Sequence, residues 1–316
     1  MRRTRSTGVG QEAQKKHRTP KVIHKIRSVG TVSPAYSDGT AVIDMKRGPY
    51  TYQNIGLSIS STVSIPDDTN NRTGKFFVKT DKWSKYVSRI RLEIDGVVQR
   101  DMTTEMFISF MRMKNLDAAN GVLFMMFGGP SQFEDKDVED AYMLGTRNVN
   151  SIRLLFDLTS EWVDGQMQLE EISEYAPVNR PTAFLVTNKV HKRRATGAGQ
   201  FTISDLPTHA DIGAIYVLGA GIKSAKLIVD DIELFDGDNH QLHAMQQLYG
   251  RAYDQFPVGE FVMFDFLRSK EVTKGLKSLE TKAERRRNAD IRLEFDMEDA
   301  AELTVVVEQM GPLNSQ

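Results

Sequence analysis

Cysteine is absent from this 316-residue chain. That excludes disulfide staples, thiolate zinc sites and a cysteine nucleophile. It fits synthesis in a reducing cytosol and leaves open where the finished protein resides. Long apolar runs are missing as well. The longest, Leu123 to Phe127 and Leu303 to Val307, are strand-sized and far short of the ~18 residues that suggest a spanning helix. The first residues are charged and lack an apolar core, so secretion through a signal peptide is not expected. Signatures of chemistry are scarce too. There is no G-x-G-x-x-G or G-x-x-x-x-G-K-[ST] phosphate loop and no H-E-x-x-H pair.

What remains is an ordinary soluble composition with an uneven charge distribution. Apolar residues make up 40% and charged residues 26%, enough to build real cores. The net charge of -1 hides a split. Residues 1–30 hold nine Lys/Arg (Arg2, Arg3, Arg5, Lys15, Lys16, Arg18, Lys21, Lys25 and Arg27) against Glu12, so they carry +8 and the remainder carries -9. Residues 1–45 therefore read as a basic arm, too polar to bury a core of their own. Such an arm suits an anionic partner, either nucleic acid or a membrane surface.

Beyond the arm the periodicity is that of strands. Ile55, Leu57 and Ile59, then Ile90, Leu92 and Ile94, then Ile152, Leu154 and Phe156, and later Ile291, Leu293 and Phe295 alternate with polar residues. Further strands are expected at 76–79, 122–127, 182–189, 201–206, 212–218, 261–266 and 303–307. The basic and Gly-rich stretch His191 to Gly199 reads as a domain boundary. Residues 276–287 suit a short helix or an exposed loop.

One unit occurs twice. Ser88 to Met113 reads as a strand, an Asp-Gly turn, a second strand and an amphipathic helix. A matching unit starts near Ala225. An ungapped offset of about 135 residues places Leu92 on Leu227, Asp95 on Asp230, Val97 on Ile232, Asp101 on Asp236, Phe107 on Leu242 and Phe110 on Met245. Two copies imply two related domains in tandem. Phe156-Asp157-Leu158 and Phe264-Asp265-Phe266 read as a second echo. Many short strands with one helix per half indicate an all-β chain of two tandem β-sandwiches. The expected division is a basic arm over 1–45, a first sandwich over 46–195 and a second over 196–316.

Candidate chemical sites are few, and each has a plainer structural reading. His240 and His243 are three apart on the second helix and could chelate a metal; a solvated helix face is the expectation. Asp236-Gly237-Asp238-Asn239 resembles part of a calcium loop, but the twelfth position is Gln247 and not Glu. Turn and helix-cap residues are expected there and at Asp230 and Asp231, with a looser structural calcium site as the alternative. Asp95 and Asp230 read as turn formers. Lys192-Arg193-Arg194 and Glu284 to Arg287 are basic clusters on expected loops. No catalytic, cofactor or metal residue is assigned.

The repeated unit, the strand Arg89 to Asp95-Gly96, the Phe156-Asp157-Leu158 strand and the closing stretch Ala301 to Met310 resemble the double jelly-roll major capsid proteins of tailless, membrane-containing icosahedral phages, of the P2 coat-protein type. The resemblance spans roughly residues 46–316. It implies two jelly rolls per chain and a structural, non-enzymatic coat subunit, made in the host cytoplasm and resident in the virion shell. It further implies a homotrimeric, pseudo-hexagonal capsomer that meets neighbouring capsomers, penton and minor capsid proteins. The basic arm would face the inner membrane or packaged genome. The alternatives are a glycan-acting hydrolase, with Glu161, Trp162 and Asp164 as first candidates, and a carbohydrate- or receptor-binding protein on two jelly rolls.

Overall fold

The computed structural model describes residues 25–65, 68–69, 75–113, 121–127, 141–207, 210–248, 260–266 and 290–313. Its elements in chain order are β1 (Lys25–Val32), β2 (Thr40–Asp44), β3 (Thr51–Ser61), β4 (Asp68–Thr69), β5 (Phe76–Val78), α1 (Trp83–Tyr86), β6 (Val87–Ile94), β7 (Val97–Thr103), α2 (Thr104–Met113), β8 (Val122–Met126), β9 (Leu144–Gly145), β10 (Ile152–Leu158) and β11 (Met167–Ala176). The second half supplies β12 (Phe184–Ala195), β13 (Gly199–Ile203), β14 (Asp211–Leu218), β15 (Ile222–Val229), β16 (Ile232–Asp238), α3 (Asn239–Gln247), β17 (Phe261–Asp265), β18 (Ile291–Met297) and β19 (Ala301–Pro312).

Each half forms two antiparallel sheets. In the first, β1-β11-β3 continues to β8, with β5 and β9 attached at β3 and β4 paired to β5, and faces the sheet β2-β10-β6-β7. In the second, β12-β19-β14-β17 faces β13-β18-β15-β16. The two orders are the same strand for strand, with α2 following β7 and α3 following β16. This is a jelly roll, built twice. Period-2 alternation explains the packing. Alternate residues of β10 and of β18 are buried, and they meet the inward residues of the opposing sheet in two large apolar clusters.

The internal repeat is structural. The offset that superposes the two sequence units carries Val87–Ile94 onto Ile222–Val229 and Val97–Thr103 onto Ile232–Asp238. Even the irregularity recurs. A register shift falls between Leu92 and Glu93 in one copy and between Leu227 and Ile228 in the other, so Gln99 and Leu234 are the same bulged residue.

Three readings of the sequence need correction. Residues 25–44 are not part of an arm: Lys25–Val32 pairs along β11 and Thr40–Asp44 pairs with β10. Their backbone hydrogen bonds complete both sheets, which composition alone could not reveal. Residues 184–195 do not end the first sandwich. They run beside Ala301–Pro312 for the length of β12, so the change of sandwich falls between Ala176 and Phe184. The counterpart of the Phe156-Asp157-Leu158 strand is not Phe264-Asp265-Phe266. It is Phe295-Asp296-Met297 on β18, the same place in the second sheet. The expectations for Glu284 to Arg287, and for residues 276–287 as a whole, lie outside the described residues.

Candidate functional site at the junction of the sandwiches

The repeated aspartates do more than form turns. Asp95 and Asp230 sit at φ 51° and 49°, in the left-handed region that Asp and Asn tolerate better than other side chains. Asp95 Oδ1 accepts the backbone N–H of Asn150 at 2.6 Å and of Ser151 at 2.7 Å. Asp230 Oδ1 accepts the N–H of Asp290 at 3.0 Å. Each carboxylate thus fastens its hairpin to the residues entering β10 or β18. Sequence spacing gave no sign of these contacts, since they reach 55 and 60 residues away.

The other candidates resolve into structural roles. His243 is buried with Nε2 2.6 Å from the carbonyl of Phe261. Burial lowers its pKa, while His240 is exposed. Asp238 caps α3 by accepting Gln241 N–H at 2.8 Å, and Gln241 Oε1 accepts the Asp238 N–H in return. Asp236 lies 3.4 Å from Lys226, and Arg292 pairs with Asp231. Lys192 pairs with Glu302 at 2.9 Å and Arg193 with Asp205, so that cluster lies on β12 and not on a loop. Trp162 is buried and donates Nε1–H to the Pro34 carbonyl, while Asp164 accepts the Tyr36 N–H at 2.6 Å. Both hold the segment leading into β2. Among the described residues no group of three metal-ligating side chains converges.

Of the basic residues assigned to the arm, Arg2, Arg3, Arg5, Lys15, Lys16, Arg18 and Lys21 lie outside the described residues. Lys25 and Arg27 are exposed on the edge strand β1.

The concentration of buried polarity lies between the sandwiches. The first apolar cluster does not stop at its own sandwich: it takes in Leu185, Ala214, Tyr216, Phe261, Met263 and Val306 from the second. Of these, Ala214, Tyr216, Phe261, Met263 and Val306 share the outer face of the β12-β19-β14-β17 sheet. Phe110 meets Tyr216 with ring centroids 4.3 Å apart. Arg100, from β7, is 6% exposed and donates Nε–H to the Val186 carbonyl and Nη1–H to the Met126 carbonyl, both at 2.8 Å. Its guanidinium lies over the Phe127 ring at 4.8 Å. Burial pulls its pKa down to about 10, against the attraction of Glu308. Glu308 is buried as well and lies 3.3 Å from the Tyr216 hydroxyl. A small cavity of about 50 Å³ adjoins this pair, lined largely by Met and Phe. Arg100 therefore fastens one sandwich to the other through carbonyls on both sides, a contact no motif announced.

A second buried ionisable group lies within the first sandwich. Glu171 on β11 is 1% exposed. Desolvation raises its pKa to about 8, opposed by Lys46 and by a hydrogen bond from Gly30. Ser173 Oγ–H donates to it.

Comparisons place this architecture among known proteins. Residues 188–313 match the family model of the viral coat protein P2 C-terminal domain. No curated protein matches the sequence. The major capsid protein P2 of bacteriophage PM2 shares the fold with a TM-score of 0.73 at 18% identity, over 92% of this chain and 98% of that one. The STIV major capsid protein gives 0.58 at 11% identity, over 92% and 97%. The PBCV-1 capsid protein gives 0.55 at 9% identity, over 96% and 95%. At these identities the likeness is one of fold: a double jelly roll over nearly the whole chain.

Proposed function

We propose that this chain is a major capsid protein, a structural subunit of an icosahedral virion shell. The single observation that carries the reading is the duplicated jelly roll. The two strand orders are identical, the apolar cluster of the first sandwich extends onto the second, and the second half matches a viral coat-protein family. A shell subunit needs a rigid block with repeated edges, and this chain has both. The hydrolase alternative has no support in these comparisons, and two of its candidates, Trp162 and Asp164, hold the segment leading into β2.

The finer reading is a homotrimer with a pseudo-hexagonal outline, six sandwiches around a three-fold axis, contacting neighbouring capsomers, penton and minor capsid proteins. Closed symmetry of this kind limits open-ended growth within the capsomer. The basic segment before β1 would face the inner membrane or packaged genome, where its positive charge meets phosphate. Native mass measurement tests the trimer. A mass of three copies is the expected result, and a single copy of 35.7 kDa at high concentration refutes it.

A further inference from the structure

The space beside Arg100 is filled differently in the two copies of the fold. Register aligns Arg100 with Phe235, since each lies opposite the matching leucine of the neighbouring strand, Leu92 or Leu227. Met125 and Phe264 correspond in the same way, opposite Ile55 and Ile215. In the second sandwich Phe235 packs edge-on against Phe264, with centroids 5.5 Å apart, and against Phe266 at 5.8 Å. Three rings fill that space. In the first sandwich a guanidinium and a thioether take the places of Phe235 and Phe264, and the cavity of about 50 Å³ lies beside them.

That cavity has one polar end. Arg100 donates Nε–H and Nη1–H to carbonyls, but its Nη2 is buried and has no hydrogen-bond partner in the protein. Leaving a charged donor dry and unpaired is costly, so the geometry calls for an acceptor from outside the chain. Glu308 and Asn188 line the same cavity. The Glu308 carboxylate lies within electrostatic reach of the guanidinium and repels a second anion, so the acceptor must be neutral. The carboxylate and the side-chain carbonyl of Asn188 can in turn accept from a donor on the same ligand.

The rest of the wall is apolar and adaptable. Met102, Met111, Met125 and Met126 contribute flexible thioether side chains, which repack readily around small ligands. Phe124 is 39% exposed while the other lining residues are buried, so it marks the entrance. One water needs about 10–15 Å³, and several would fit by volume. They would satisfy the polar end only, because cavity walls made of apolar groups stay dry. The size is far below the ~300 Å³ of a drug-sized pocket and selects a ligand of few heavy atoms.

We propose that this cavity is a binding site for a small neutral molecule of the carboxamide type. Its carbonyl oxygen accepts from Arg100 Nη2, its N–H groups donate to Glu308 and Asn188, and its short apolar tail lies among the methionines. The site goes beyond the shell-subunit reading and does not depend on it. Arg100 ties β7 to a carbonyl on each sandwich, Met126 in the first and Val186 in the second. A ligand that completes the guanidinium's hydrogen bonds therefore stiffens the junction between the sandwiches.

The test uses the full chain with methyl-labelled methionine, titrated with isobutyramide and read by NMR. Saturable shifts are expected at the methyls of Met102, Met111, Met125 and Met126, with a Kd of about 1 mM for so small a ligand. Met45 and Met167, buried elsewhere in the same sandwich, are expected to stay still. Isobutyrate has the same shape but an anionic head, and urea has the head without the tail; each is expected to bind at least about tenfold more weakly. Met125→Phe copies the second sandwich and fills the space, so it is expected to abolish binding while circular dichroism stays native. Three results overturn the proposal: no saturable shift at the four methyls, isobutyrate or urea binding as tightly as the amide, or a folded Met125→Phe chain that still binds. Should that variant misfold, the wild-type ranking of the three probes decides alone.

Discussion

Replacing Asp95 by alanine removes two things that the structure shows. Oδ1 loses its hydrogen bonds from the N–H groups of Asn150 and Ser151, worth about 1 kcal/mol each. The new residue must also hold φ at 51°, where a side chain without a local hydrogen bond pays about 1–2 kcal/mol. The expected destabilisation is therefore about 3 kcal/mol. Asp95→Asn retains an acceptor oxygen and tolerates the same φ, so it costs below about 1 kcal/mol. The assay is urea unfolding followed by tryptophan fluorescence. Both tryptophans, Trp83 and Trp162, are buried in the first sandwich, so the signal reports the half that Asp95 fastens. An Asp95→Ala midpoint within about 0.5 kcal/mol of wild type, or of the Asn variant, refutes the reasoning. Asp230→Ala, which loses one such bond, provides the comparison in the other sandwich. Its effect on the tryptophan signal is expected to be smaller.

Three further predictions follow from particular residues. Arg100→Met removes the cation beside buried Glu308 and the Arg100 hydrogen bonds to the carbonyls of Val186 and Met126; a loss of about 3–5 kcal/mol is expected, partly restored by adding Glu308→Gln, as a double-mutant cycle would measure. Glu171 has its pKa raised from 4.5 to about 8 in the fold, so the native state binds the proton more tightly than the unfolded chain. Its contribution is complete below pH 4.5 and is lost as pH rises toward 8, at up to about 1.4 kcal/mol per pH unit. Glu171→Gln should flatten the stability profile over that window in urea titrations; an unchanged slope contradicts the assignment. Deleting residues 1–24 should leave the melting curve unchanged, whereas deleting 1–30 strips most of β1 from β11 and should lower it; equal melting of the two deletions would place β1 outside the fold.

The sequence revealed most where one face of a strand is uniformly apolar. β6, β10, β18 and the helix α2 are legible for that reason, as is the repeat that unites them. β11 was invisible because its inward positions include Glu171 and Ser173 between Leu169 and Tyr175, which breaks the alternation. β1 hid behind Lys25 and Arg27, whose charge suggests an arm although the backbone completes a sheet. The boundary at His191 to Gly199 misled for a related reason. Its lysine and arginines lie on a strand, where Lys192 pairs with Glu302 and Arg193 with Asp205. Nothing in spacing could announce Arg100, because its partners come from three distant strands and its role exists only once the two sandwiches touch.

Electron microscopy of the purified full chain tests the central claim most directly. The account predicts uniform particles with a pseudo-hexagonal outline, three-fold symmetry and six sandwich-sized densities, which tile into sheets or shells as concentration rises. A field of two-lobed single chains that never associate would contradict it.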